Sequence, residues 1–309
     1  MDIYEQTTGF LLNLPLVQSW AEMQSLLSRA AQRKPHDWQL SVMACEAVGG
    51  MAEQALPAVA GIACLQISII LIDDMLDDDP RGEYRQIGGP TAANLASAFQ
   101  AAGLEAVARS NSIPLNIRMA VLRSLNQMML TTAFGQNLDV QNLADEAKYW
   151  DMIRTKSSPF FSSAMYTGAV LGGANTDVAG CIQEFGNLYG ELIQIHDDLN
   201  DTMATPVNPD WILDRSPLPI LFAQTVNHPD RERFLELRRA IPDPEALAEA
   251  QAILLRCGAV SYCIDQIMRR HKLAHETLAA IPLVRREKLE RLLDPLIDPV
   301  QKLFVEIGE

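Results

Sequence analysis

Apolar residues recur at three- and four-residue spacing along most of the chain, and no run alternates in twos. That period belongs to helices packed by one face, so the pattern predicts an all-α protein and excludes folds that alternate strand and helix. Leu16, Val17, Trp20, Met23, Leu26 and Leu27 trace a helix from Pro15 to the break at Arg33-Lys34-Pro35. Asp37 is placed to cap the next helix, which carries Leu40, Met43, Ala44, Ala47 and Val48 and stops at Gly49-Gly50. From Pro57 to Asp79 the chain is apolar nearly all round, which predicts a central, buried helix. After the break at Pro80-Arg81-Gly82 an Ala-rich helix covers about 92–109, and a long one runs through Met119, Leu125, Met129 and Phe134 to Asp139. A further helix extends from Glu146 to about Gly172 with a kink at Pro159, and another spans Asp177 to Asp201. Beyond a proline-rich loop around Trp211, three or four amphipathic helices lead to Val305.

Composition and charge change this picture in four ways. With 309 residues, 48% of them hydrophobic, and no linker, the chain is expected to form one domain, 1–309, around a large core. The longest apolar stretch, Ile62 to Ile72, contains Gln66 and is too short to cross a bilayer, and the N-terminus lacks a basic start followed by an apolar run. A cytoplasmic protein with no membrane span is expected. Cys45, Cys64, Cys181, Cys257 and Cys263 show no C-x-x-C spacing and lie in apolar helical patterns, so all five are read as buried free thiols. A net charge of −14 argues against nucleic acid and anionic membrane surfaces as partners.

Against this apolar background stand two clusters of aspartate: Asp73, Asp74, Asp77, Asp78 and Asp79, then Asp197, Asp198 and Asp201. At helical spacing Asp73 faces Asp77, Asp74 faces Asp78, and Asp197 faces Asp201, one turn apart in each case. Two carboxylates ~6 Å apart at an effective dielectric of about 20 repel by roughly 3 kcal/mol, so each row calls for positive charge. A hard divalent cation held by one or two carboxylates, with positions left for water and phosphate oxygens, answers that need, and the glycine turn of a calcium loop is missing. The competing reading is an acidic, solvated face, the ordinary fate of a charge run. The flanks oppose it: Ile67, Ile69, Ile70, Leu71 and Ile72 lead into the first cluster, and Leu188, Leu192, Ile193 and Ile195 into the second.

The order of these residues resembles the trans-isoprenyl diphosphate synthases, the polyprenyl synthetase family, over about 35–225. The resemblance rests on Asp73-Asp74-x-x-Asp77 followed by Arg81-Gly82 and Pro90-Thr91, on Gly135-Gln136-x-x-Asp139, on Lys156-Ser157 before Phe160, and on Gln194-Ile195-His196-Asp197-Asp198-x-x-Asp201. It implies a helical bundle around a deep apolar pocket with the two aspartate motifs across its mouth. It implies about three Mg2+ ions, replaceable by Mn2+, with Asp73, Asp77 and Asp197 as direct ligands and Asp74, Asp198 and Asp201 acting through water or hydrogen bonds. Arg81, Lys156 and Arg215 would then hold an allylic prenyl diphosphate, with Gln194 as a polar neighbour, Phe160 facing the cationic intermediate, and a homodimer as the assembly. Residues one turn before the first aspartates look toward the prenyl tail in this family; Ser68 and Ile69 carry no ring that would close the pocket. His196, beside Asp197, is read as an orienting neighbour.

The chain departs from that pattern where the family holds isopentenyl diphosphate. The Gly-Lys-Arg-x-Arg-Pro stretch falls on Arg33-Lys34-Pro35-His36-Asp37-Trp38, where only Lys34 keeps its cation, and the histidine position falls on Gln66. One arginine follows the first aspartates, then Glu83-Tyr84-Arg85-Gln86. Three readings remain: chain-elongating prenyl transfer with a rearranged acceptor site, a terpene synthase acting on one allylic diphosphate, and a non-catalytic subunit that modulates an active synthase.

Overall fold

The computed structural model describes residues 2–141 and 145–297, and every regular element among them is helical. In order these are α1 (Ile3–Leu12), α2 (Pro15–Ser19), α3 (Ala21–Gln32), α4 (Leu40–Ala47), α5 (Leu56–Leu76), α6 (Tyr84–Ile87), α7 (Gly89–Ala108), α8 (Leu115–Asp139) and α9 (Glu146–Lys156). The chain continues with α10 (Ser158–Leu171), α11 (Thr176–Met203), α12 (Pro209–Ile212), α13 (Leu218–Thr225), α14 (Arg231–Ala240), α15 (Pro244–Arg256), α16 (Ala259–Ala280) and α17 (Glu287–Glu290).

The all-round apolar helix is α5, which starts with Pro57 in its first turn and packs against α1, α7, α8 and α10. With the turn before it, Ala52–Leu76 is long and apolar enough to cross a bilayer, contrary to what its apolar run alone suggests. Its apolarity serves the interior instead, since 72% of the most apolar 18-residue window within that stretch is buried inside the bundle. Contact between α10 and α11 depends on small residues. A Cβ on Gly186 would lie 2.6 Å from the Ser162 Cα and one on Gly190 2.7 Å from the Ser158 Cα, so the two backbones touch along a seam that no larger side chain fits.

Several sequence expectations are corrected. The helix from Pro15 is broken at Trp20, whose extended backbone (φ −106°, ψ 99°) separates α2 from α3. The helix expected to kink at Pro159 is likewise two helices, broken at Ser157, with Pro159 starting α10 where its missing N–H costs nothing. Asp37 caps no helix; it lies in a 3-10 turn, His36–Gln39. Helix α1 was not foreseen. Cys45, Cys64 and Cys263 are buried free thiols, but Cys181 is exposed and Cys257 half-buried. Among the described residues five helices, α13 to α17, follow the proline-rich loop where three or four were expected, and the expected extension to Val305 lies outside the described residues.

One buried ionic cluster ties three helices together. Glu191 on α11 accepts from Arg154 of α9 at 3.1 Å and from Arg270 of α16 at 2.6 Å, and the Arg270 guanidinium lies 3.7 Å from the Trp150 ring centroid. Removing the shared carboxylate leaves Arg270 buried without a counter-ion. Glu191→Ala is therefore expected to destabilise the fold by roughly 3–5 kcal/mol, read as a lowered urea midpoint, whereas Asp265→Ala, which breaks an exposed pair with Arg269, is expected to cost under about 1 kcal/mol.

Candidate active site

The two aspartate clusters stand at one end of the bundle because α5 and α11 both deliver them there. Around them opens a cavity of ≈ 400 Å³, lined on its polar side by Asp73, Asp77, Asp139, Asp197 and Asp201 and on its apolar side by Ile69, Ile70, Met152, Phe160, Phe161 and Ile193. That volume is within the range of small-molecule sites.

The first cluster is split by the end of α5. Asp77 stays in helical register with Asp73, its N–H bonded to the Asp73 carbonyl at 2.9 Å. Asp78 then turns left-handed (φ +52°), and the Asp79 N–H reaches back to the Asp74 carbonyl at 3.0 Å, the closure that ends many helices. Asp78 is thereby swung to Tyr84 (2.8 Å) and Arg85 (2.5 Å), so the expected pairing of Asp74 with Asp78 does not form. Its place is taken by Asp79, whose charge, after burial and together with Asp73, raises the pKa of Asp74. Asp74 is off the cavity wall, while Asp79 and Arg81, joined by contacts of 2.9 and 3.1 Å, line it.

Opposite, Asp197 and Asp201 line the cavity from α11. Burial, then the neighbouring charges of Asp201 and Asp37, pushes the Asp197 carboxyl up to about 6. Burial and Asp73 likewise push Asp77 up to about 6, against the pull of Lys156 and Arg215. Asp198 is used differently: its carboxylate accepts from Tyr149 Oη (2.6 Å), Gln194 Nε2 (2.9 Å) and the Leu218 N–H (2.7 Å). Burial raises its pKa to about 7 in spite of those three donors. Gln194 lines the cavity with both ends of its amide engaged, Oε1 accepting from Ser157.

Two cations bridge the carboxylates. Lys156 Nζ is 2.5 Å from Asp139 and 3.4 Å from Asp73; burial works against its charge, yet these two neighbours leave its pKa raised. Arg215 reaches from the loop before α13 to Asp139 (2.6 Å) and Asp77. Gln136 donates to Asp73 at 2.6 Å. Gly135 is the reason Lys156 arrives: a Cβ there would lie 2.2 Å from the Lys156 backbone nitrogen, so only glycine lets α9 close on α8.

Other expected residues are placed as follows. Phe160 and Phe161 line the cavity edge to face, 5.4 Å apart, with Tyr189 5.4 Å from Phe161. Ile69 faces the cavity, but Ser68 is buried against α7, where Gln100 donates to it at 3.1 Å. Lys34 is not on the wall; its ammonium pairs with Asp2 at 2.8 Å and lies over the Tyr4 ring. His196 is off the wall too; burial lowers its pKa, and its Nε2 is buried without a hydrogen-bond partner among the described residues. Asp139, Gln136, Tyr149 and Asp210 were given no role from sequence. Asp139 and Gln136 stand in a quoted motif, whereas nothing in the helical pattern marks Tyr149. Among the described residues no three His, Cys, Asp or Glu side chains converge as a finished metal cage.

An all-helical bundle whose two aspartate-bearing helices meet over a basic-rimmed, aromatic-lined cavity defines an isoprenoid synthase-type protein. The polyprenyl synthetase family profile matches residues 36–254, and the chain belongs to that family. It is 27% identical over 260 residues to a short chain isoprenyl diphosphate synthase of Methanothermobacter thermautotrophicus, covering 78% of each chain. It is 26% identical over 273 residues to a geranylgeranyl pyrophosphate synthase of Geoglobus acetivorans, covering 84% of each. The crystal structure of geranylgeranyl pyrophosphate synthetase from Pyrococcus horikoshii Ot3 superposes with a TM-score of 0.82 at 22% identity, covering 95% of each chain.

Gly135→Ala is expected to force α8 and α9 apart, cost about 1–3 kcal/mol as overpacking, and withdraw Lys156 from Asp139. Calorimetry with inorganic diphosphate would then show weakened binding, while Gly9→Ala, at a position with no neighbour within 4 Å, would leave it unchanged.

Proposed function

We propose that this protein transfers a prenyl group from an allylic diphosphate, with Mg2+ bound by the carboxylates that line the cavity. The observation that carries the reading is the meeting of Asp73 and Asp77 with Asp197 and Asp201 over one apolar cavity, next to Lys156 and Arg215. Prenyl transfer is the chemistry of the family, and its relatives' names favour neither the terpene synthase nor the modulatory-subunit reading.

The donor set fits magnesium. It is all carboxylate oxygen, and burial together with neighbouring carboxylates raises the pKa of Asp77 and of Asp197, a cost that a bound cation would relieve. Bound there, Mg2+ would stabilise charge on the departing diphosphate. Arg81, Lys156 and Arg215 supply the remaining cations for that group, and their hydrogen bonds orient it. Phe160 and Phe161 offer ring faces, and with Ile69, Ile70 and Ile193 they exclude water from the tail and from the carbocation. Asp198 does not need a metal to be useful: through Tyr149, Gln194 and Leu218 it holds α11 in place beside Asp197 and Asp201.

A homodimer belongs to the same reading. Leu115, Met119, Leu130 and Phe134 are exposed and share one face of α8, an apolar stripe that a second copy would cover. Light scattering is expected to give twice the chain mass for the wild type and a monomer for Leu130→Glu combined with Phe134→Glu.

Diphosphate release from farnesyl or geranylgeranyl diphosphate is expected to require Mg2+ and to fall by at least ~100-fold in Asp77→Ala and in Asp197→Ala. Undiminished release in excess chelator would sink the proposal.

A further inference from the structure

Nine aspartates line the cavity and three cations accompany them, and each cation is already bound to a carboxylate. Arg81 holds Asp79, Lys156 holds Asp139 and Asp73, and Arg215 holds Asp139 and Asp77. All three are therefore engaged by the first aspartate cluster and Asp139. Asp37, in the 3-10 turn after α3, also faces the cavity. Gln66 Nε2 donates to its Oδ2 at 2.6 Å, and Trp38 Nε1 donates to Gln66 Oε1 at 2.8 Å. Trp38 is fully buried, so this relay fixes the carboxylate's direction from behind. Among the described residues Oδ1 of Asp37 accepts no hydrogen bond and no side chain forms an ion pair with the group; burial raises its pKa, against smaller lowering effects of the Gln66 hydrogen bond and of the adjacent His36, which does not line the cavity. A second diphosphate at this wall would meet an anion and find no side-chain cation to hold it.

We infer that the acceptor end of this cavity takes an uncharged nucleophile without a phosphate, an alcohol or a neutral amine, that presents an O–H or N–H to Asp37. This rests on the prenyl-transfer reading above and names its second substrate. In the step, the donor's allylic C–O bond breaks and its electron pair leaves on the diphosphate. A lone pair of the acceptor oxygen or nitrogen forms the new bond to that carbon, and the displaced proton passes to the Asp37 carboxylate. Gln66 and Trp38 are positioning residues. An amide in place of the carboxylate would keep the volume and lose the proton acceptor; an arginine would reverse the charge.

The test gives the purified protein Mg2+ and farnesyl diphosphate with one of three acceptors that differ only in the head group: isopentenol, isopentenylamine or isopentenyl diphosphate. Products and released diphosphate are both measured. Saturable farnesylation of the alcohol or the amine, with kcat/KM above that for isopentenyl diphosphate, is expected. That selectivity ratio should fall at least tenfold in Asp37→Asn, and should invert in Asp37→Arg combined with Gln66→His. In the absence of metal, the double variant is expected to bind isopentenyl diphosphate at least tenfold tighter than the wild type in calorimetry, a readout that does not depend on turnover. Urea unfolding checks that each variant is folded. Wild-type preference for isopentenyl diphosphate, or a ratio unchanged in Asp37→Asn, overturns the inference. Diphosphate release that yields only farnesol or hydrocarbon in every tube overturns it as well while leaving donor ionisation standing. No release in any tube overturns the prenyl-transfer reading, and the inference with it.

Discussion

The structure depends on keeping a ring of carboxylates together inside an apolar bundle. Two carboxylates at the distance of one helical turn repel by a few kcal/mol at the effective dielectric of a protein site, and the cavity holds nine of them. Positive charge is brought to them at a cost in packing freedom. Lys156 is held where burial disfavours its charge, and it remains protonated because Asp139 and Asp73 outweigh that penalty. Its position in turn requires backbone contact between α8 and α9, which is why glycine stands at 135. Arg215 comes from a different segment, the loop ahead of α13, and closes on Asp139 and Asp77 from the other side. Electrostatics at the cavity thus dictates small residues in the helices behind it.

The second aspartate helix is held by comparable means. Gly186 and Gly190 let α11 lie against α10 at Ser162 and Ser158, and the buried Glu191 on the same helix pairs with arginines of α9 and α16. Asp198 adds donors from α9, from its own helix and from the start of α13. A carboxylate that looks from sequence like one more metal ligand is, in the structure, a joint between three elements. Asp197 and Asp201, one residue before it and one turn beyond, also line the cavity, without that set of donors from three elements.

Helices were legible because their burial is one-sided or complete, and both leave a period in the sequence; α5, α7, α8 and α11 lie close to where the apolar pattern puts them. The clusters on α5 and α11 were legible as sites because acidic residues at the end of a buried helix conflict with the pattern around them. Helix ends were less so. Whether Asp78 continues the face of Asp74 depends on a single left-handed residue, and the periodicity that locates α5 does not say where its last turn closes. Tyr149 was invisible because a buried tyrosine is normal core, and only its 2.6 Å contact with Asp198 separates it from its neighbours. Ser68 was assigned to the wall on family grounds, but in a helix apolar all round nothing in the sequence distinguishes the side that meets the cavity from the side that meets α7.

The segment between α3 and α4 shows how a distant element decides which residue reaches the cavity. Its sequence offers Arg33 and Lys34 as cations, and on charge alone Lys34 would be drawn to the aspartates. Helix α1 prevents that. Tyr4 donates to the carbonyls of Lys34 and Pro35 at 3.1 Å, its ring packs 5.8 Å from that of Trp38, and Asp2 takes the Lys34 ammonium at 2.8 Å. Lys34 itself turns left-handed (φ +50°), after which the chain presents Asp37 inward and seats Trp38 in the core. Trp38 then needs a partner for its buried indole N–H, and Gln66 supplies the oxygen while its amide nitrogen binds Asp37. The charge at this end of the cavity is therefore coupled to the packing of the N-terminal helix. A lysine at 34 cannot serve an anionic substrate while α1 is docked, and replacing Gln66 alone would leave two buried groups, Trp38 and Asp37, without the partner they share.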